Sequence, residues 1–195
     1  MAASGERERL RLFVALELPQ DAREALAAWR TGVMSLFCEL RPVADSALHV
    51  TLCFLGSLTA SGVKEIADAC GAALDGAPGP DLGLDAGLWL PPRRPRVVGV
   101  RLGDPSGALA QIQDSVSGAL SDGGWYRPEK RPFLPHVTVA RVPTRVRIRT
   151  AELPPLPQLT FNAPSVTLYR SRLQRSGARY EPLARIGLSR QGTAG

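Results

Sequence analysis

The chain has 195 residues, 44% of them hydrophobic and 22% charged, and carries a net charge of +6 at neutral pH. This ordinary globular composition, free of low-complexity tracts, is enough for one domain with a sizeable core and excludes disordered and fibrous classes. Its longest apolar runs are strand-sized, below the ~18 residues of a membrane span, and the polar stretch from Met1 to Arg9 does not read as a signal peptide, so no membrane partner is expected.

Leu10 to Leu18 alternates as a first strand that Pro19 ends. Asp21 and Glu24 then have the spacing of a capping box, and Leu26, Trp29, Val33 and Phe37 recur at helical period. The segment from Arg41 to Leu55 reads as a strand closed by Gly56. A second helix is expected after a Thr59 or Ser61 cap, with Val63, Ile66, Ala67, Cys70 and Leu74 on one side. Leu82–Leu90 and Arg96–Leu102 read as an antiparallel pair, separated by a proline-rich connector that cannot continue a sheet.

Asp104-Pro105 predicts the start of a third helix with Leu109, Ile112, Val116 and Leu120 buried, ended by Gly123-Gly124. Phe133–Val142, Phe161–Leu168 and Tyr180–Leu188 supply further strands. Leu153–Pro157 is a proline-rich connector, and a turn is expected at Ser176-Gly177. Cys38, Cys53 and Cys70 match neither a disulfide framework nor a paired-ligand zinc site. They read as reduced thiols of a cytoplasmic protein, and no metal or other cofactor is expected. Apart from Lys64 and Lys130, every basic residue is arginine. A basic surface points to a polyanion such as RNA, with genome composition the competing explanation for arginine over lysine.

The two histidines of the chain occupy the same phrase, His49-Val50-Thr51-Leu52 and His136-Val137-Thr138-Val139. On a half-buried strand, residues i and i+2 share a face about 6.6 Å apart, so each phrase presents His and Thr together and turns its valine to the core. A lone strand histidine is more often structural than chemical, but two matched copies carry a different meaning. Two imidazoles can serve as base and acid at a phosphodiester, because a pKa near 6.5 lets one be neutral and the other charged. Two threonine hydroxyls can hold the non-bridging oxygens. The phrases lie 87 residues apart, nearly half the chain, as two similar lobes around a shared site would place them.

These residues resemble the two-histidine phosphoesterase superfamily, and within it the RNA 2′,3′-cyclic phosphodiesterase family, also called the 2′-5′ RNA ligase family. The resemblance rests on Arg11–Ala15, His49–Gly56, Arg93–Val100, Phe133–Arg141, and Leu168–Ser171 with Gly177 and Tyr180, and spans most of the chain. Cys53 departs from it, standing where the family often has a lysine or other long residue.

The resemblance implies an α+β fold, residues 1–195 forming one bilobal domain with two antiparallel sheets, outer helices and a central groove. It implies hydrolysis of a terminal 2′,3′-cyclic phosphate to a 2′-phosphate, with RNA or a nucleotide as partner and the protein acting as a monomer. His136 is expected as general base and His49 as general acid, with Thr51 and Thr138 on the phosphate. Arg141 joins them by resemblance, although its odd offset from His136 puts it on the opposite face of an ideal strand. Phe13 is a candidate base contact, with core packing as its ordinary reading. Arg145, Arg147 and Arg149 alternate with Val146 and Ile148, forming a solvated edge or an RNA-tracking stripe. Ligation through a 2′-5′ linkage, a small cyclic nucleotide as substrate, and a phosphate-binding module without turnover are the alternatives.

Overall fold

The computed structural model describes residues 8–174 and 177–189. In chain order its elements are β1 (Arg9–Glu17), α1 (Gln20–Leu36), β2 (Arg41–Pro42), β3 (His49–Thr59), α2 (Val63–Ala73), β4 (Asp81–Leu90), β5 (Val97–Gly103), α3 (Ala108–Asp122), β6 (His136–Arg141), β7 (Thr160–Asn162), β8 (Ser165–Gln174) and β9 (Gly177–Gly187). Ser176, half of the expected turn before β9, lies outside the described residues.

The strands pair antiparallel in the order β7-β4-β5-β6-β3-β1-β8-β9, with β2 added to β6. Four strands stand on each side of the β6–β3 junction, and that junction is a single pair, Val50 with Val137. The two sheets implied by the resemblance are therefore the two lobes of one curled α+β sheet, joined where the His-x-Thr strands meet.

One phase of each strand builds the core. Leu12, Val14 and Leu16 of β1, Val98, Val100 and Leu102 of β5, and Val166 and Leu168 of β8 are buried together with the helix stripes. Those stripes are the expected ones: Leu26, Trp29 and Val33 on α1, Ile66 and Cys70 on α2, and Leu109, Ile112, Val116 and Leu120 on α3. At about 25 cal/mol per Å² of apolar surface removed from water, this burial is the main favourable term holding the helices to the sheet. The opposite strand phase is left to line the groove.

The element starts differ from the sequence expectation. Helix α1 begins after Pro19 with no side-chain cap; Asp21 accepts from the neighbouring Ala22 N–H at 2.8 Å, and Gln20 takes the Glu24 carboxylate at 2.6 Å. A 3-10 turn over Ala60–Gly62 leads into α2, so neither Thr59 nor Ser61 caps it. Helix α3 starts at Ala108 because Gly107, at φ 70°, turns the chain first, although Asp104 still accepts from Ala110 N–H at 3.0 Å.

The first histidine strand starts at His49, since Arg41–Pro42 pair separately and Asp45–Ala47 form a 3-10 turn. It also runs on through Gly56 to Thr59. The expected strand across Phe161–Leu168 is split at Ala163-Pro164, where proline lacks the N–H a ladder needs. The proline-rich connector is pinned by two indoles, with Trp29 donating to the Pro154 carbonyl and Trp89 to the Ala151 carbonyl, each at 3.0 Å.

Candidate active site

The Val50–Val137 pair puts both valines in the core, fully buried, and turns their neighbours into the groove. Antiparallel register then sets His49 opposite Thr138 and Thr51 opposite His136, so the histidines stand on one diagonal and the threonines on the other. His49, Thr51, His136, Thr138, Arg141 and Phe13, the six residues singled out from the sequence, all line one cavity of about 420 Å³.

Each imidazole is fixed in the same way. His49 Nδ1 donates to the Ala47 carbonyl at 2.8 Å, and His136 Nδ1 donates to the Leu134 carbonyl at 2.9 Å. In the neutral ring this leaves the lone pair on Nε2, the nitrogen a reacting group would meet. In His49 that nitrogen lies 3.1 Å from Thr51 Oγ1, whose hydroxyl donates to it.

Arg141 reaches the cavity through a β-bulge. Opposite β5, Val98 pairs with Ala140 but Gly99 pairs with Thr138, so Val139 and Ala140 are both buried and the alternation shifts by one. The expectation that Arg141 faces away from His136 holds only for an unbroken strand. A matching shift interrupts β3, where Val14 pairs with Cys53 and Ala15 with Thr51. It buries both Leu52 and Cys53 and brings Phe54 to the groove.

The repeated unit is thus longer than His-x-Thr: in both strands a bulge follows the threonine and the fifth residue after the histidine returns to the site. Cys53, which ideal alternation would turn toward substrate, is instead a core residue whose thiol burial pushes up to about 12. Phe54 and Arg11 form a pair the sequence reading did not select, the guanidinium lying 4.7 Å from the ring centroid. The shared five-residue spacing was the available signal for Phe54.

His49 stands in an aromatic setting. Its ring centroid is 5.0 Å from that of Phe13 and 5.2 Å from Tyr180, which meets it edge-on; Tyr169 stacks on Phe13 at 5.2 Å. Burial among these rings lowers the His49 pKa from 6.5 to about 4; the Ala47 carbonyl opposes this, while the charges of Arg141 and His136 add to it. Phe13 is only 3% exposed, a wall of the site as well as a core aromatic.

Tyr169 is anchored in turn by Glu17, which accepts from its hydroxyl at 2.8 Å and also from Ser165, Thr167 and Arg185. Burial pushes the Glu17 carboxyl up, but these donors and the Arg185 charge outweigh it and hold the pKa below the usual value. Beside His136 stands Gly99, where a Cβ would come within 3.3 Å of the imidazole Cδ2.

Arg145, Arg147 and Arg149 are exposed while Val146 and Ile148 pack on the core, so the alternation is real, although the segment is irregular rather than a strand. Among the described residues no three His, Cys, Asp or Glu side chains gather as a metal site, and no helix is long and apolar enough to cross a membrane.

A curled antiparallel sheet that brings two His-x-Thr strands to one seam is the architecture of the two-histidine phosphoesterases. The 2′-5′ RNA ligase superfamily model matches residues 18–175, and the chain belongs to that superfamily and is an enzyme. It is 34% identical to the RNA 2′,3′-cyclic phosphodiesterase of Escherichia coli K12, over 93% of this chain and 98% of that one. It is 30% identical to the protein of that name from Aeropyrum pernix, over 86% and 97% of the two chains. Among solved structures, E. coli LigT complexed with 3′-AMP superposes with a TM-score of 0.78 at 33% identity, covering 94% of this chain and all of that one. A protein of Thermus thermophilus gives 0.79 at 25% identity, over 92% and 98%.

Proposed function

We propose that this enzyme hydrolyses the terminal 2′,3′-cyclic phosphate of RNA to a 2′-phosphomonoester, without a metal or other cofactor, as a monomer in the cytoplasm. The carrying observation is the diagonal pair of imidazoles, each locked by a backbone carbonyl at Nδ1 so that Nε2 carries the lone pair of the neutral ring. His136 takes the proton of a water whose oxygen bonds to phosphorus. As the P–O3′ bond breaks, His49 gives its proton to the departing 3′ oxygen, so one proton enters and one leaves the pair. Thr51, Thr138 and Arg141 hold the non-bridging oxygens, where charge develops. The names of the curated relatives support the substrate, and LigT, a structural neighbour, was crystallised with 3′-AMP. The free cysteines, Cys38 exposed and Cys53 and Cys70 buried, suit a reducing compartment.

The low pKa of His49 sets a condition on this order. In the free protein at neutral pH the ring is uncharged, so the proton it donates must be taken up from solvent as the anionic substrate binds. An anionic phosphate between His49 and Arg141 supplies that coupling, because it replaces repulsion between cations with attraction to an anion. NMR titration of His49 with and without 2′-AMP tests the assignment. The expected result is a pKa near 4 that rises by a unit or more with ligand; an unmoved pKa would make His49 the base and His136 the acid.

A further inference from the structure

Beside the histidine cavity lies a larger one of about 890 Å³, walled by the turn between β4 and β5, helix α3 and the segment 125–135. The two share Thr51, Phe54 and His136, so a ligand with its phosphorus between the histidines can extend into both. Binding sites for small organic ligands occupy roughly 300–1,000 Å³. Each cavity therefore has room for about one nucleotide, and a mononucleotide leaves one of them empty.

Their charges differ in a way that names the occupant. Among the described residues the histidine cavity has Arg11 and Arg141 on its walls and no carboxylate. The larger cavity sets Arg96 and Arg131 against Asp114 and Glu129, leaving no net formal charge. The first suits a phosphate, while the second offers a further phosphate no net attraction and suits an uncharged base.

The fittings are those of a base site. Tyr126 and Phe133 are its aromatic lining residues, and Gln113, Asp114 and Ser117 line it from one face of α3, where residues three and four apart are neighbours; of these three Asp114 is the exposed one. Asp114, as a carboxylate, only accepts hydrogen bonds. It therefore complements the amino group of adenine, cytosine or guanine. Uracil offers it one N–H flanked by two carbonyl oxygens.

We propose that this cavity is a base-reading subsite for the nucleotide next to the one bearing the cyclic phosphate, so that the enzyme selects oligonucleotide ends over cyclic mononucleotides. The proposal rests on the function proposed above and adds the length and base preference of its substrate.

The test compares kcat/KM for adenosine 2′,3′-cyclic phosphate with that for the dinucleotides ApA and UpA carrying the same cyclic end. Calorimetric binding of 2′-AMP and of ApA with a 2′-phosphate runs in parallel. Stacking of one base on an aromatic side chain is worth about 1–3 kcal/mol, so ApA should exceed the mononucleotide by about 5- to 150-fold through KM, with UpA between them. Asp114→Ala should draw the ApA to UpA ratio toward one. Equal values for mononucleotide and dinucleotide in both measurements, or an ApA to UpA ratio that Asp114→Ala leaves unchanged, would overturn the subsite. Tighter binding of the dinucleotide with no turnover of any substrate would overturn the hydrolytic reading and leave the subsite standing.

Discussion

The two lobes carry the same strand phrase, the same bulge and the same carbonyl lock on the imidazole, yet they surround their histidines differently. In the β3 lobe Phe13, Tyr169 and Tyr180 close around His49, and Glu17 braces the aromatic wall from behind. In the β6 lobe Val97 holds the place of Phe13, Gly99 pairs with Thr138 as Ala15 pairs with Thr51, and Arg101, which pairs with His136 as Glu17 pairs with His49, is tied to Asp85 instead. The residue that the bulge returns to the groove also differs, Phe54 on one side and Arg141 on the other. Backbone symmetry thus places two equal groups, and side-chain asymmetry gives them unequal surroundings.

The largest effects should fall on what the lobes share. His49→Ala and His136→Ala are each expected to cost about 10²–10⁴ in kcat, the size of a general acid or base contribution. Under the proposed acid-base pairing the double variant should be little worse than the poorer single one; single-turnover assays check both points. Where the lobes differ, Arg141→Ala should lower kcat/KM by about 10- to 100-fold, as expected for loss of hydrogen bonds to a charged group. Arg141→Lys should recover part of this, since it restores the charge but not the forked geometry. Equal activity in all three proteins would remove Arg141 from the phosphate site.

The aromatic wall gives an effect on stability. His49 binds its proton with a pKa of about 4 when folded and about 6.5 when unfolded. The unfolded chain therefore takes up the proton first as pH falls, and up to about 3 kcal/mol of stability should be lost between pH 6.5 and 4. Urea midpoints across this range, for the wild type and His49→Gln, read the difference; parallel pH dependences would deny the burial of His49. The smallest effect should come from Gly99→Ala, whose methyl presses on the His136 ring and should slow turnover a few-fold. An equal loss in Ala15→Ser, at the matching place in the other lobe, would mean that Gly99 has no particular bearing on His136.

Much of this site was legible because its information is local. The His-x-Thr phrase, strand alternation and the arginine at the end of the second phrase are written in adjacent residues, and the apolar stripes of all three helices follow from a fixed period. What escaped depends on partners distant in sequence. The bulges exist because β1 and β5 pair across β3 and β6 with one residue fewer, so no strand read alone could show that Phe54 and Arg141 face the groove or that Cys53 faces the core. The caps failed for a related reason: Asp21, Glu24 and Thr59 are capable cap residues, but proline, glycine and short 3-10 turns fixed the chain before their side chains were needed. The Glu17 brace joins β1 to β8 and β9 across about 150 residues and has no local pattern at all.

The most direct test of two-histidine hydrolysis is phosphorus NMR of an oligoribonucleotide ending in a 2′,3′-cyclic phosphate, incubated with the enzyme in excess EDTA. Complete conversion of the cyclic signal to that of a 2′-phosphomonoester, abolished in His49→Ala and His136→Ala, is the expected result. An unchanged cyclic signal with the folded protein, or a 3′-phosphate as product, would contradict it.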